Sequence, residues 1–313
     1  MCGKGTIMKH YPYHYHDLSN GERIAYRTAG STGPYLLLIH GNLSSSTHFQ
    51  HLMEALEQEC QLIAVDMRGF GRSSYHKSLH ALQDLAEDLL ELMDALSISA
   101  YSILGWSTGG GVALEMAASR PTAIQRLFLL SSVGVQGYLP PSKSRLVSFN
   151  ILPILANTNP ALAKWNPVLQ RIEYALKSGQ ESLMRKILSP LYQNTPISDE
   201  DFRLYMEAAC QQRNYSDICL LLFTFNMTNR HNGFVAGNNR IQQVTCPVHI
   251  LHGTSDDVVS LESAYLTAHY LSQATLQFFD AGHSILTDQP QALLASIRQA
   301  LFDNSGRQIT LKL

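Results

Sequence analysis

The chain has 313 residues, of which 45% are hydrophobic and 15% are charged. This composition is typical of a globular protein with a substantial core. Its 23 basic and 25 acidic residues leave a formal charge of -2, so the net charge gives no sign of a nucleic-acid or anionic-membrane partner. A small, uncharged molecule fits this balance better as the substrate.

No targeting, membrane-spanning or metal-binding signal stands out in the sequence. Residues 1–16 lack the apolar core of a signal peptide, and no run reaches the roughly 18 apolar residues that span a bilayer. We therefore expect a soluble, cytoplasmic protein. The five cysteines form no CxxC pair, and His10, His14 and His16 have no Cys, Asp or Glu pattern beside them. We expect no metal and no other cofactor.

Apolar runs and helical periodicity alternate along the chain. Residues 22–28 alternate between polar and apolar, as an edge strand does, whereas residues 34–40 form the apolar run of a strand buried on both faces. Strand-helix alternation predicts an α/β protein with a mostly parallel central sheet and helices on both faces. Further strands are predicted at 61–66, 101–105, 126–132, 248–253 and 276–280, and helices at 47–59, 79–96, 110–120, 261–271 and 290–301.

Residues 134–244 interrupt this alternation, because they contain helix-like segments but no strand pattern. Ser198, followed three residues later by Asp201, matches a capping box at the start of one of these helices. We predict a core formed by residues 1–133 and 245–313, with residues 134–244 inserted as a helical cap. The helix-like segments are 161–177, 181–188, 198–212 and 216–227.

The pentapeptide Gly105-Trp106-Ser107-Thr108-Gly109 matches the GxSxG pattern of a nucleophile elbow. It follows an apolar strand and leads into a helix that begins with small residues, which is the setting that the motif needs. Glycines relieve crowding on this tight turn, so that the hydroxyl of Ser107 can stand clear. Ser107 is the predicted nucleophile, and Trp106 beside it is predicted to line the acyl pocket.

Two backbone N–H groups are predicted to form an oxyanion hole. Thr108 opens the helix after the nucleophile, where free N–H groups and the helix dipole favour negative charge. The second donor is expected in the turn His40-Gly41-Asn42-Leu43, with the N–H of Asn42 preferred and that of Leu43 as the alternative. His40 is expected to be a structural residue of this turn.

The base and the acid are predicted to follow the last two strands. His283 comes directly after the final predicted strand, and a free imidazole titrates near neutral pH, as the base of a serine hydroxyl should. Two carboxylates, Asp256 and Asp257, follow the strand at 248–253. Either could orient His283, so the residues alone leave this choice open.

These motifs and their order resemble the α/β-hydrolase fold serine hydrolases, and the resemblance covers nearly the whole chain outside the predicted cap. The loop at 66–73, with Asp66 and Arg68, is also similar to a loop of that family and is expected to be structural. The resemblance implies a triad in the chain order Ser107, Asp256, His283, because the family spacing places the acid three residues after the glycine that ends the strand.

Two subfamilies share shorter motifs with the chain. The turn His40-Gly41-Asn42 is similar to that of haloalkane dehalogenases, but those enzymes have an aspartate where this chain has Ser107. The serine therefore argues against dehalogenation. The stretch 105–111 more closely resembles the lipase box of bacterial intracellular short-chain polyhydroxyalkanoate depolymerases.

Motifs and resemblance together predict a serine hydrolase that cleaves carboxylic esters of short to medium acyl chain, with hydroxyalkanoate oligomers as one candidate substrate. A C–C bond hydrolase, a lactonase or a cofactor-free perhydrolase would use the same triad, and the fold could also serve a non-catalytic ligand receptor. Leu43 is one candidate for the substrate pocket. The cap side chains that could wall an apolar pocket, each also explained as ordinary core, are Tyr138, Phe149, Trp165, Phe223, Phe225 and Met227.

Overall fold

An eight-stranded sheet organises the residues that the structure describes. The structure is a computed structural model, and it describes residues 9–138, 167–192 and 197–302. The strands are β1 (Tyr13–Asp17), β2 (Arg23–Ala29), β3 (Tyr35–Ile39), β4 (Gln61–Asp66), β5 (Tyr101–Trp106), β6 (Ile124–Leu130), β7 (Val248–Gly253) and β8 (Ala274–Phe279). They lie in the order β1-β2-β4-β3-β5-β6-β7-β8.

Parallel pairing dominates this sheet. β1 and β2 are antiparallel to each other, and β2 is antiparallel to β4, whereas every other neighbouring pair is parallel. All seven predicted strands are present, with ends that differ by at most two residues. The expectation that residues 22–28 form an edge strand is wrong, because β2 lies between β1 and β4. β1 was not predicted, because its sequence Tyr-His-Tyr-His-Asp has no apolar alternation and lies largely exposed at the sheet edge.

Helices follow most of the strands, as the alternation predicted. The short helix at Ile285–Asp288 was not predicted, because four residues are too few to show a helical period. The helices are α1 (Gln50–Leu56), α2 (Leu82–Ala95), α3 (Thr108–Ser119), α4 (Pro167–Ser178), α5 (Glu181–Leu188), α6 (Asp199–Cys210), α7 (Tyr215–Thr224), α8 (Leu261–Tyr270), α9 (Ile285–Asp288) and α10 (Pro290–Phe302).

Alternate side chains of β3 enter two different hydrophobic clusters. Leu36 and Leu38 pack with residues of α1 and α10, whereas Leu37 and Ile39 pack with residues of α2 and α3. All four side chains are completely buried. A strand that helices cover on both faces needs apolar side chains at every position, which explains its continuous apolar run.

Helices α4 to α7 lie between β6 and β7, in the range 134–244 that we call the cap range. Helices α4, α5 and α6 contribute to a third apolar cluster, which also includes Phe223 of α7. Leu221 of α7 belongs instead to the cluster that β3 forms with α2 and α3. The Ser198 hydroxyl accepts a hydrogen bond from the N–H of Asp201 at 3.0 Å, so α6 begins as the capping box predicts. The division into core and cap stays a prediction.

Some of the expected features fall outside the described residues. Phe149, Trp165 and the first part of the predicted helix 161–177 belong to these. No described helix is both long enough and apolar enough to cross a membrane. Within the same residues, no group of three His, Cys, Asp or Glu side chains could hold a metal ion.

Candidate active site

Ser107 lies on a sharp turn between β5 and α3. Its backbone has φ 55 and ψ -120, a conformation that residues other than glycine rarely adopt and that is typical of strained functional turns. Its N–H donates to the carbonyl of Leu130 at 3.0 Å, and its own carbonyl accepts from the N–H of Val133 at 3.1 Å. The neighbouring strand β6 and the residues after it therefore hold the strained turn in place.

Two glycines let other backbone segments approach this turn. A Cβ at Gly41 would lie 2.8 Å from Cβ of Ser107 and 3.4 Å from its Oγ. A Cβ at Gly109 would lie 2.2 Å from the carbonyl oxygen of Ile39, at the end of β3. The turn after β3 is thus pressed against the nucleophile candidate, where an oxyanion hole would have to be.

Replacing Gly109 by alanine is expected to lower the free energy of unfolding by about 1–3 kcal/mol, because backbone atoms must move to admit the methyl group. The matched control is Gly111→Ala in the same helix, where the obstacles are side-chain rather than backbone atoms, Cδ1 of Leu82 at 2.8 Å and Cγ1 of Val133 at 2.9 Å. Side-chain atoms shift more readily than backbone atoms, so the control should lose less stability. Urea denaturation followed by circular dichroism measures both, and equal losses would contradict the explanation.

Asp256 and His283 come together after the ends of β7 and β8. Nδ1 of His283 lies 2.9 Å from Oδ2 of Asp256. The other carboxylate oxygen of Asp256 accepts hydrogen bonds from the N–H groups of Val258 and Val259, at 2.8 and 2.9 Å. Both acid and imidazole are almost completely buried. Of the two carboxylates that the sequence offered, Asp256 is the one that the structure brings to His283.

The surroundings of Asp256 favour its charged form. Burial raises the pKa of its carboxyl group, but the charge and hydrogen bond of His283 oppose this effect, and the pKa ends below its ordinary value. A second buried imidazole, His252, contributes in the same direction with Nε2 3.7 Å from Oδ2 of Asp256. Burial lowers the pKa of His252. Sequence reasoning missed His252, because it lies inside the predicted strand and matches no motif.

Trp106 contacts His283 through its indole ring. Its indole Nε1 donates to the backbone carbonyl of His283 at 3.1 Å, and the two rings are tilted with centroids 5.7 Å apart. The side chain is buried in the cluster formed with α1 and α10. The role of Trp106 as a wall of the acyl pocket stays a prediction.

The three candidate oxyanion donors differ in what their N–H groups bond. The N–H of Leu43 donates to Oε1 of Gln212 at 2.9 Å. Among the described residues, no acceptor forms a hydrogen bond with the N–H of Asn42 or of Thr108. Thr108 is the first residue of α3. Free N–H groups at a helix start are suited to an oxyanion. This difference favours Asn42 over Leu43.

The residues expected to be structural bond the loops of this region. His40 is completely buried, its Nδ1 lies 2.8 Å from the carbonyl oxygen of Gly41, and its Nε2 accepts from the N–H of Met67 at 3.1 Å. Burial lowers the pKa of His40, which favours the neutral ring that these two bonds require. Asp66 accepts from the N–H of Ser46 at 2.8 Å.

Four of the cap-range pocket candidates are described. The hydroxyl of Tyr138 donates to the carbonyl of Val258, and its ring lies 6.5 Å from that of Phe223. Burial raises the pKa of Tyr138. Phe225 and Met227 are buried in the cluster that β3 forms with α2 and α3. That Leu43 and Tyr138 line the substrate pocket stays a prediction.

Comparison with known protein families identifies the family of the chain. The family described as alpha/beta hydrolase fold matches residues 34–290. The chain belongs to the α/β hydrolase fold family. The match runs from the start of β3 to the start of α10 and includes every residue of the candidate site.

Several curated proteins are related to this chain. Uncharacterised proteins of Mycobacterium tuberculosis and Mycobacterium bovis are 38% identical over 116 residues, which are 37% of this chain. These residues are 34% of the relatives' length, so the match spans about a third of those proteins. The 2-hydroxymuconate semialdehyde hydrolase of Pseudomonas sp. is 24% identical over 272 residues, which are 85% of this chain and 86% of that protein.

Solved structures share the fold over most of their length. An esterase from Exiguobacterium antarcticum superposes with a TM-score of 0.71 at 16% identity, covering 92% of this chain and 98% of that one. An enol-lactonase from Burkholderia xenovorans LB400 has a TM-score of 0.69 at 17% identity, covering 90% and 97%. At these identities the likeness shows the fold alone.

Proposed function

We propose that the protein is a serine hydrolase of carboxylic esters with short to medium acyl chains. Ser107 is the nucleophile, His283 is the general base, and Asp256 orients the imidazole. The observation that carries the proposal is the buried 2.9 Å contact between His283 and Asp256. It lies at the carboxyl ends of parallel strands, as does the strained turn of Ser107.

The proposed reaction is acyl transfer to Ser107 and then to water. With Nδ1–H of His283 donated to Asp256, the lone pair of Nε2 takes the Ser107 proton as Oγ bonds to the ester carbonyl carbon. The resulting oxyanion accepts hydrogen bonds from the N–H groups of Asn42 and Thr108. The alcohol leaves with the proton from His283, and a water molecule that His283 activates then releases the acid and restores the serine.

The proposed substrates are uncharged and of modest size. The chain has nearly equal numbers of acidic and basic residues, and the pocket candidates Trp106, Leu43 and Tyr138 are mainly apolar, which favours acyl chains over charged groups. Hydroxyalkanoate oligomers are a candidate within this class. Their support is the similarity of residues 105–111 to the lipase box of short-chain polyhydroxyalkanoate depolymerases.

Hydrolysis of p-nitrophenyl acetate, butyrate and octanoate tests the proposal directly. We expect turnover of acetate and butyrate, and we expect a fluorophosphonate probe to add to Ser107, as identified by mass spectrometry of the labelled peptide. Turnover of octanoate alone would contradict the short-chain part of the proposed range but leave the mechanism. Absence of both ester turnover and a Ser107 adduct would contradict the serine hydrolase itself.

A C–C bond hydrolase or a lactonase is the second candidate. It is supported by the similarity to a 2-hydroxymuconate semialdehyde hydrolase over 85% of the chain and by the shared fold of an enol-lactonase. Either activity would use the same three side chains. A kcat/KM for 2-hydroxymuconate semialdehyde or for an enol-lactone above that for the esters would favour it. Probe labelling without turnover of any substrate would instead favour a ligand receptor.

A further inference from the structure

The side chain of Gln212 joins the cap range to the turn that carries Asn42. Gln212 follows α6 and is buried. Its Oε1 accepts from the N–H of Leu43 at 2.9 Å, and its Nε2 donates to Oδ1 of Asn42 at 2.6 Å. A single amide therefore bonds two consecutive residues of the turn 41–43, which we call the oxyanion turn.

Gln212 is itself held by a second amide. Its Nε2 also donates to Oδ1 of Asn214 at 3.1 Å, and Nδ2 of Asn214 donates to the carbonyl of Arg68 at 2.8 Å. Arg68 in turn is bound by both carboxylate oxygens of Asp88, at 2.7 and 2.6 Å. Both donors and one acceptor lone pair of the Gln212 amide are used, so this side chain is fixed before any substrate binds.

The oxyanion turn needs such support, because Leu43 has a φ of 54, which side chains other than glycine rarely adopt. The peptide unit that carries the N–H of Asn42 is held through its carbonyl, Gly41, by Nδ1 of His40 at 2.8 Å. The next peptide unit is held through the N–H of Leu43 by Gln212. One contact comes from the core and the other comes from the cap range.

We propose that Gln212 is a positioning residue for the oxyanion hole, which makes the placement of the Asn42 N–H depend on the cap range. The inference rests on the proposed function, in which that N–H stabilises the oxyanion. Donors that are already in place stabilise a transition state without the cost of reorganisation. Without Gln212 the N–H remains, but on the side of the cap range the turn keeps only the 4.0 Å contact between Nδ2 of Asn42 and Sγ of Cys219.

The test replaces Gln212 by methionine, which has a similar shape and cannot make these hydrogen bonds. We expect kcat for p-nitrophenyl butyrate to fall about tenfold or more, with KM changed by less than about threefold. The affinity for an alkylboronic acid, which forms a tetrahedral adduct with an active serine, should fall by a similar factor. A purely structural role would not weaken the tetrahedral adduct in proportion to kcat.

Arg213→Met is the matched control. Arg213 bonds the carbonyls of Gly71 and Ser73 with its guanidinium group, so it docks the same segment without touching the oxyanion turn. We expect this variant to lose thermal stability but to keep kcat within about threefold. Asn42→Ala is the second variant, because it keeps the backbone N–H and removes the Oδ1 atom that Gln212 bonds. It should lower kcat by a smaller factor than Gln212→Met.

The outcomes separate this inference from the proposed function. If the wild type cleaves esters and is labelled at Ser107 while Gln212→Met keeps its kcat and boronate affinity, this inference alone is overturned. Equal losses in Arg213→Met would also overturn it. If Gln212→Met does not fold, an unchanged kcat in Asn42→Ala overturns it. A wild type that shows neither ester turnover nor labelling refutes the proposed function, and this inference with it.

Discussion

Replacing Ser107 by alanine is expected to lower kcat for p-nitrophenyl butyrate by about 10⁴-fold or more. Without the hydroxyl no acyl-enzyme forms, and only the N–H groups of Asn42 and Thr108 would still assist the attack of water. Steady-state kinetics gives the loss of turnover, and the burst of p-nitrophenol that reports the acyl-enzyme should vanish with it.

Ser296→Ala is the control for this variant. The Ser296 hydroxyl donates within its own helix, to the carbonyl of Ala292 at 3.0 Å, and its loss should leave turnover unchanged. If Ser107→Ala retained more than about one per cent of the wild-type kcat, the nucleophile would have to be sought elsewhere. The same preparations allow fluorophosphonate labelling, which should be lost in Ser107→Ala alone.

Asp256→Asn is expected to lower kcat by about 10⁴-fold while leaving the shape of the site intact. Oδ1 of Asp256 accepts two backbone N–H groups, and Oδ2 faces Nδ1 of His283. An asparagine must turn its oxygen towards Val258 and Val259, because its NH₂ group would otherwise point at two donors. The NH₂ group then faces Nδ1 of His283, which holds the imidazole in the wrong tautomer.

The adjacent carboxylate provides the control, since Asp257→Asn should change kcat by less than about threefold. Comparable losses at both positions would show that general charge near His283, rather than this hydrogen bond, is what matters.

The stability of the Asp256→Asn variant gives a second readout. The pKa of Asp256 lies below its ordinary value in the folded protein. The charged carboxylate therefore stabilises the fold at every pH above that ordinary pKa. This stabilisation is lost as the pH falls through the lower, folded pKa, so the Tm advantage over Asp256→Asn should shrink in acid.

The sequence predicted most of the sheet because burial on both faces leaves a strong local signal. The apolar run at 34–40 needed no knowledge of its neighbours, and β3 lies there. The GxSxG motif was recognisable as five consecutive residues, although only Gly105 is required by contacts within its own strand-turn-helix unit, whereas Gly109 is required by the backbone of β3. Asp256 was different: the residues alone did not separate it from Asp257, and the choice came from the spacing of a resembling family.

Contacts that sequence reasoning missed join residues far apart in the chain. Gln212 reaches Leu43 across 169 residues, and nothing in the cap range marks one polar residue after a helix as its partner. β1 was missed for a different reason. It is an exposed edge strand, and such a strand needs no apolar face. Periodicity reports burial, and so it does not identify polar contacts formed only in the folded chain.

The hydrogen bond between Trp106 and His283 also has a consequence for the folding pathway. It joins residues 177 positions apart, and pairings of such high contact order form slowly. β5 lies in the middle of the sheet, whereas β8, which leads to His283, lies at its edge. The proposed nucleophile, Ser107, can therefore be in place while the sheet still lacks its last strand. A chain in which β8 had not yet paired would have Ser107 in position but not His283, so the proposed triad would be completed only when β8 joins the sheet.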